Sequence, residues 1–162
     1  MIGQFNRDWQ VPPAPGVFWC HRNRCKTCPF FTEETMSLTF FSVSEQRRIR
    51  HHITCSSSSL VYMMHCNKCN VQCIGETKRH LSDRFGEHRR AVEKAITQQH
   101  IDQPSATSDH FILPAHSMDN VEIVPLELIT SNREAIRKGR ETFLIFKGKT
   151  LKSSRLNRRD ES

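Results

Sequence analysis

Long hydrophobic runs are missing from this 162-residue chain. No stretch approaches the roughly 18–20 apolar residues that a bilayer-spanning helix requires, so a membrane protein is not expected. The stretch from Met1 to Pro15 has no apolar core of the kind found in secretory signals, so a secreted protein is not expected either. Apolar residues are scarce throughout, at 36% with a mean hydropathy of −0.58. A core built from them will be modest, and something besides apolar burial is expected to help hold the fold. No internal repeat is visible, and the length fits about one domain.

What the sequence does contain is cysteine and positive charge. The cysteines number seven, an odd count, with no signal peptide beside them. In an intracellular setting clustered cysteines more often bind metal than form disulfides. Lys and Arg number 24 against 17 Asp and Glu, a net +7 with pI about 9.3. That balance suits a polyanion, most simply nucleic acid, although many ordinary proteins have a similar pI. The charge is concentrated late: Arg133 to Arg159 holds 10 Lys/Arg and 2 Glu, a local +8.

Along the chain, residues 1–19, with Pro12, Pro13, Pro15 and Gly16, read as a tail or linker. Residues 20–59 form a cysteine-bearing extension with a strand expected around Ser37–Val43, a polar stretch over Ser44–His52, and a serine turn at Ser56–Ser59. Leu60–His65 and Val71–Ile74 read as two strands around a tight turn. After Gly75 the period becomes helical, with Leu81, Phe85, Val92 and Ile96 on one stripe. Arg84 and His88, four apart, share another face. Residues 97–109 predict a loop or short helix, and Val121–Ile129 a strand. Ser131-Asn-Arg-Glu134 has the form of a capping box opening a helix to about Lys147.

Two cysteine groups have metal-ligand spacing. Cys66-x2-Cys69 has the reach of a zinc knuckle, and His110-x5-His116 could add two imidazoles across a gap of 40 residues. That gap is far longer than in a groove-reading finger, so zinc here would be structural. The plainer alternative is a pair of half-buried strand cysteines and two surface histidines. Cys20-x4-Cys25-x2-Cys28 with Cys55, after a gap of 26 residues, could make a second site, of four cysteines, with His21 competing for the place of Cys55. The alternative there is free thiols in a poorly ordered extension. Cys73 has no partner in either scheme. A cross-braced RING or treble-clef module fits poorly, because the ligand pairs do not alternate.

A third set consists of Tyr62, Cys73-Ile74-Gly75, Glu76-Thr77, Arg84, Glu87-His88, Glu141 and Asn157. Singly these are a strand aromatic, a solvated helix face and an ordinary helical charge. In this order they resemble the GIY-YIG endonuclease superfamily, with Val61-Tyr62 and Cys73-Ile74-Gly75 as the two half-motifs. More narrowly the chain resembles the endonuclease domain of Penelope-like retroelements. The carriers are Cys66 and Cys69 between the half-motifs, His110-Phe111…Ala115-His116, and the upstream Cys25-Lys-Thr-Cys28-Pro29-Phe30. The resemblance spans about Cys20 to Asn157.

It implies an α/β (α+β) module over residues 60–157, an antiparallel sheet of about three strands flanked by helices. A zinc-bearing extension precedes it and a short tail, 158–162, follows. It also implies metal-dependent hydrolysis of a DNA phosphodiester, most simply a nick whose 3′-hydroxyl a reverse transcriptase of the parent element could extend, and hence a nuclear location. Glu141 would hold Mg²⁺ or Mn²⁺, Arg84 would stabilise charge on the phosphate, and Tyr62 would position or deprotonate water. His88 would contact phosphate or assist proton transfer, Asn157 would order the site, and the basic tail would track the DNA backbone. Zinc would sit apart, at Cys66, Cys69, His110 and His116. Three positions depart from the pattern: Cys73 replaces the second tyrosine, Leu60 a glycine, and Arg155 the glycine before Leu156-Asn157. The alternative reading is therefore a catalytically inactive, zinc-stabilised nucleic-acid-binding domain of the same fold.

Overall fold

The computed structural model describes residues 11–32, 35–97 and 106–152. In chain order its elements are β1 (Gly16–Val17), β2 (Ser37–Phe40), β3 (Glu45–Arg48), β4 (His52–Ile53), β5 (Leu60–Cys66), β6 (Gln72–Thr77), α1 (Leu81–Thr97), α2 (Ala106–Phe111), β7 (Val121–Leu128), α3 (Glu134–Gly148) and β8 (Leu151–Lys152). Short 3-10 turns cover Cys28–Phe30 and Met118–Asn120. The class is mixed α/β, with small sheets, three α-helices and grouped cysteines able to hold a metal.

The main sheet has strand order β7-β5-β6-β8. β5 pairs antiparallel with both neighbours, and every one of its seven residues is buried. An apolar run with both faces covered is what a central strand requires, which explains why Leu60–Cys66 reads as continuous rather than alternating. β8 adds a fourth strand, parallel to β6, where about three antiparallel strands were expected. Two residues are too short to leave a periodic signal.

Several other expectations are corrected. Gly16 and Val17 fall in the expected tail, yet they form β1 in parallel with His52 and Ile53, and Val17 is buried. The polar stretch after Ser44 contains β3, which pairs antiparallel with β2. Its side chains alternate between exposed and half-buried, so neither face needs an apolar series. Ile96 ends the expected stripe of α1 but is 61% exposed, while Leu81, Phe85 and Val92 are buried. The capping box at Ser131 does not form as such. The Ser131 hydroxyl accepts from the Arg133 N–H, a local turn, and α3 begins at Glu134 with no side-chain cap. Asn157, Leu156 and Arg155 lie outside the described residues.

The cysteine-bearing extension shares the core of the sheet. Val17, Phe31, Phe40, Ile49 and Ile53 belong to one cluster with Leu60, Tyr62, Phe85 and Leu144. Gln72 on β6 fastens the β2 hairpin, accepting from Phe41 N–H at 3.0 Å and donating to Thr39 O at 2.7 Å. Phe40 lies against the last turn of α3, where a Cβ on Gly148 would fall 2.6 Å from Phe40 Cδ1. Gly148→Ala is therefore expected to destabilise by about 1–3 kcal/mol, the usual cost of overpacking. Gly139→Ala, with nothing within 4 Å of its Cβ, is expected to stabilise by about 0.5–1 kcal/mol. Urea unfolding of the two variants checks both signs.

Candidate functional site

The parallel pairing of β1 with β4 brings the chain after Val17 beside the chain after Ile53. Cys20, Cys25 and Cys28 thereby reach Cys55, and their four sulfurs lie within 4.8 Å of one another. Sγ–Sγ separations are 3.5 Å for Cys28–Cys20 and 3.7 Å for both Cys28–Cys55 and Cys25–Cys55. A disulfide needs about 2.05 Å. Four thiolates about 2.3 Å from a tetrahedral zinc stand about 3.8 Å apart, so these separations match a metal site. Backbone N–H groups already point at sulfur, from Cys20 to Cys28 Sγ at 3.2 Å and from Cys28 to Cys25 Sγ at 3.5 Å. His21, the competing ligand, is exposed and outside the group.

Arg22 is a member of this site that the cysteine spacing gave no sign of. It donates to Ser56 Oγ at 2.7 Å and reaches Cys55 Sγ at 3.8 Å. Burial opposes ionisation of Cys20, but hydrogen bonds from Arg22 outweigh it and hold the thiol near 6. Burial pushes Cys28 and Cys55 up. The cluster thus carries a cation that offsets thiolate charge, and a bound metal would ionise the thiols.

The second group forms at the β5–β6 turn, at one end of the main sheet. Cys66 ends β5 and Cys69 lies in the turn to β6, where Asn70 takes a left-handed backbone. His110 comes from α2 and His116 from the loop after it. The four ligand atoms lie within 4.8 Å, with Cys69 Sγ 3.3 Å from His110 Nε2. His116 Nδ1 donates to Pro114 O at 3.2 Å, while its Nε2 is buried without a hydrogen-bond partner among the described residues. An imidazole fixed through one nitrogen and orphaned at the other is the arrangement a metal ligand needs. Both groups could therefore hold a metal such as zinc.

Tyr62, on β5, is wholly buried, and its register partner on β6 is Gly75. Its hydroxyl lies 2.7 Å from His88 Nε2 and accepts from Arg84 Nε at 3.2 Å. Arg84 and His88 both come from α1, one turn apart, so one helix face supplies both partners. Burial, then the nearby Arg84 charge, drives the His88 pKa down to about 3. Glu87 was quoted in the sequence only as part of a string. It accepts from Arg84 at 2.9 Å and pairs with Arg79 at 2.6 Å.

Cys73 shares the Tyr62 face of the sheet and is buried. That burial, with Cys66 and Cys69 nearby, raises its thiol to about 11. Glu141 is buried on α3, which packs on β6 and β5. One turn earlier on that helix Arg137 pairs with Glu76, the residue after Gly75. Glu141 belongs to neither metal-ligand group. The chain finds no match among family models, curated proteins or solved structures.

Two outcomes follow. Metal analysis of the purified chain should find two zinc ions, with Cys66→Ser and Cys28→Ser each removing one. An unchanged count in Cys66→Ser would disprove the second site. His88 titrates near 3 when folded and near 6.5 when unfolded. The stability it contributes is therefore full above pH 6.5 and is lost as pH falls toward 3. His88→Gln should flatten that acid limb relative to wild type in pH-dependent urea unfolding.

Proposed function

We propose that this chain is a GIY-YIG-type endonuclease domain of Penelope-like retroelement origin that hydrolyses DNA phosphodiesters, most simply by nicking. The observation that carries the reading is the buried hydrogen-bonded group of Tyr62, Arg84 and His88. Three residues that the resemblance names for one centre, spread over β5 and α1, meet at a single hydroxyl.

The chemistry follows from that group. Water attacks phosphorus, the bond to the 3′ oxygen breaks, the departing oxygen takes a proton from solvent, and the products are a 3′-hydroxyl and a 5′-phosphate. Arg84, already donating to Tyr62 Oη, has further N–H donors for a phosphate oxygen and opposes the charge that develops there. Its donation also favours the phenolate, so Tyr62 can take the water proton while passing its own to His88 Nε2 at 2.7 Å. Burial makes an imidazolium costly at His88, and an adjacent phosphate would lower that cost. Glu141 offers one buried carboxylate, which suits Mg²⁺ or Mn²⁺ completed by water and phosphate oxygens. Such an ion would supply Lewis-acid stabilisation of the phosphorane. The two cysteine groups would hold structural zinc. DNA is the partner in this reading, the nucleus the place of action, and a reverse transcriptase the user of the 3′ end.

Cys73 supports a second reading, a binding domain with an inactive centre. A thiol held near 11 lacks the reach and the hydroxyl of a tyrosine. A plasmid-nicking assay with Mg²⁺ or Mn²⁺ separates the two. The endonuclease reading expects relaxation of supercoiled DNA by wild type and a loss of at least about 100-fold in Arg84→Ala and Glu141→Ala. Folded, zinc-loaded protein that binds DNA without nicking, with cleavage appearing in Cys73→Tyr, would establish the inactive domain instead.

A further inference from the structure

A groove of about 430 Å³ lies between the loop that carries Cys25 and the outer side of α1. The loop wall brings Arg22, Arg24 and Lys26, and the other wall brings Arg79, just before α1, with Arg89 and Arg90 on the helix. In the lining only Asp83 and Glu87 oppose these six cations, and Arg89 also pairs with Glu93 at 3.7 Å. Glu87 is already shared between Arg79 and Arg84. Arg24, Lys26 and Arg90 are exposed, and their side chains make no ion pair with any described residue.

The basic C-terminal region, from which DNA contact was expected, is different where it is described. Arg137 pairs with Glu76, Lys138 with Glu134, Arg140 with Glu127 and Lys147 with Glu45. The four cations of α3 are thus spent on the protein's own carboxylates, while Arg133 and Lys149 at its ends make no ion pair with a described residue. Arg24, Lys26 and Arg90 thus bring unneutralised charge to the groove.

The walls are tied together. Leu81 N–H donates to Ser57 O and Ser82 N–H to Cys55 O, both at 2.9 Å, docking the first turn of α1 on the chain beside the four-cysteine group. Arg22, held by Ser56, and Cys25, a ligand of that group, fix the opposite wall. The cations therefore stand in a preformed channel. They come from both walls and three of them are exposed, which suits a chain of phosphates better than a single small buried anion.

We propose that this groove binds the phosphate backbone of duplex DNA beside the cleavage centre. The choice of DNA rests on the endonuclease reading; the phosphate chemistry rests on the groove itself. Glu87 joins the two places, because it holds Arg79 on the groove side and Arg84 on the Tyr62 side. A strand lying in the groove would lead toward Arg84, and a metal held by the four cysteines would act on DNA binding by shaping one wall.

The test is fluorescence anisotropy of a short labelled DNA duplex, without added Mg²⁺ or Mn²⁺, titrated at several salt concentrations. The groove variant is Arg24→Glu/Arg90→Glu, and the charge-matched control is Arg48→Glu/Lys94→Glu, at exposed sites outside the groove. The groove variant should bind at least about ten-fold more weakly, with a salt slope smaller by about two, while keeping the wild-type zinc content. Arg24→Gln/Arg90→Gln should show a smaller loss in the same direction. Equal weakening by groove and control variants would overturn the groove, as would unchanged binding in the groove variant. Tighter binding of an RNA duplex would overturn the DNA assignment. Nicking is scored separately. Nicking with KM unmoved in the groove variant would sink the groove and leave the endonuclease standing. Groove-dependent binding without nicking would do the reverse.

Discussion

A phenolic hydroxyl buried in the middle of the central strand is the constraint on which much of this structure depends. Tyr62 is fully covered, and a buried hydroxyl left without partners costs about 1–3 kcal/mol. The helix packed over β5 therefore has to present polar groups at that level. α1 does so with Arg84 and His88, one turn apart, while Leu81, Phe85 and Val92 supply its apolar contact. Burying Arg84 then calls for a carboxylate, which is Glu87, and Glu87 in turn holds Arg79 at the surface. One hydroxyl thus organises a chain of polar groups from the core to the solvent.

The cysteine groups answer a different shortage. Apolar residues are scarce, and the residues around Cys25 and before His116 are mostly exposed. Each candidate metal group joins pieces far apart in sequence, Cys20 to Cys55 in one case and Cys66 to His116 in the other. Closing loops of that length removes much freedom from the unfolded chain. The four-cysteine group also anchors the chain on which α1 begins, through the Ser57 and Cys55 carbonyls. A metal held there would bear on the position of Arg84 and His88 without touching either.

The parts legible in the sequence are those where one residue type carries its own geometry. Cysteine pairs with two residues between them announced the metal groups, and four-residue spacing put Arg84 and His88 on one face. An unbroken apolar run marked β5. The parts that were not legible depend on partners distant in sequence. β3 is polar because it lies at the surface, and β1 and β8 are too short for a period. The tail boundary at residue 19 was misplaced because proline composition hid a strand whose partner lies at His52 and Ile53. Arg22 reads as an ordinary loop cation until Cys55 and Ser56 are brought beside it.

The distribution of charge is where sequence and structure part most clearly. Counting along the chain put the cationic surplus at the C-terminal end, yet α3 spends its cations on Glu76, Glu127, Glu134 and Glu45. Such pairs fasten the helix to the sheet and to its own turns, and a paired cation has less to offer an approaching phosphate. Among the cations left without a carboxylate, Arg24, Lys26 and Arg90 are gathered on α1 and the Cys25 loop. Opposite charges close in sequence or in space cancel locally, so net charge in a window says little about field at a surface. What attracts a polyanion is the cation whose carboxylate is missing, and Arg24, Lys26 and Arg90 meet that condition together on one groove.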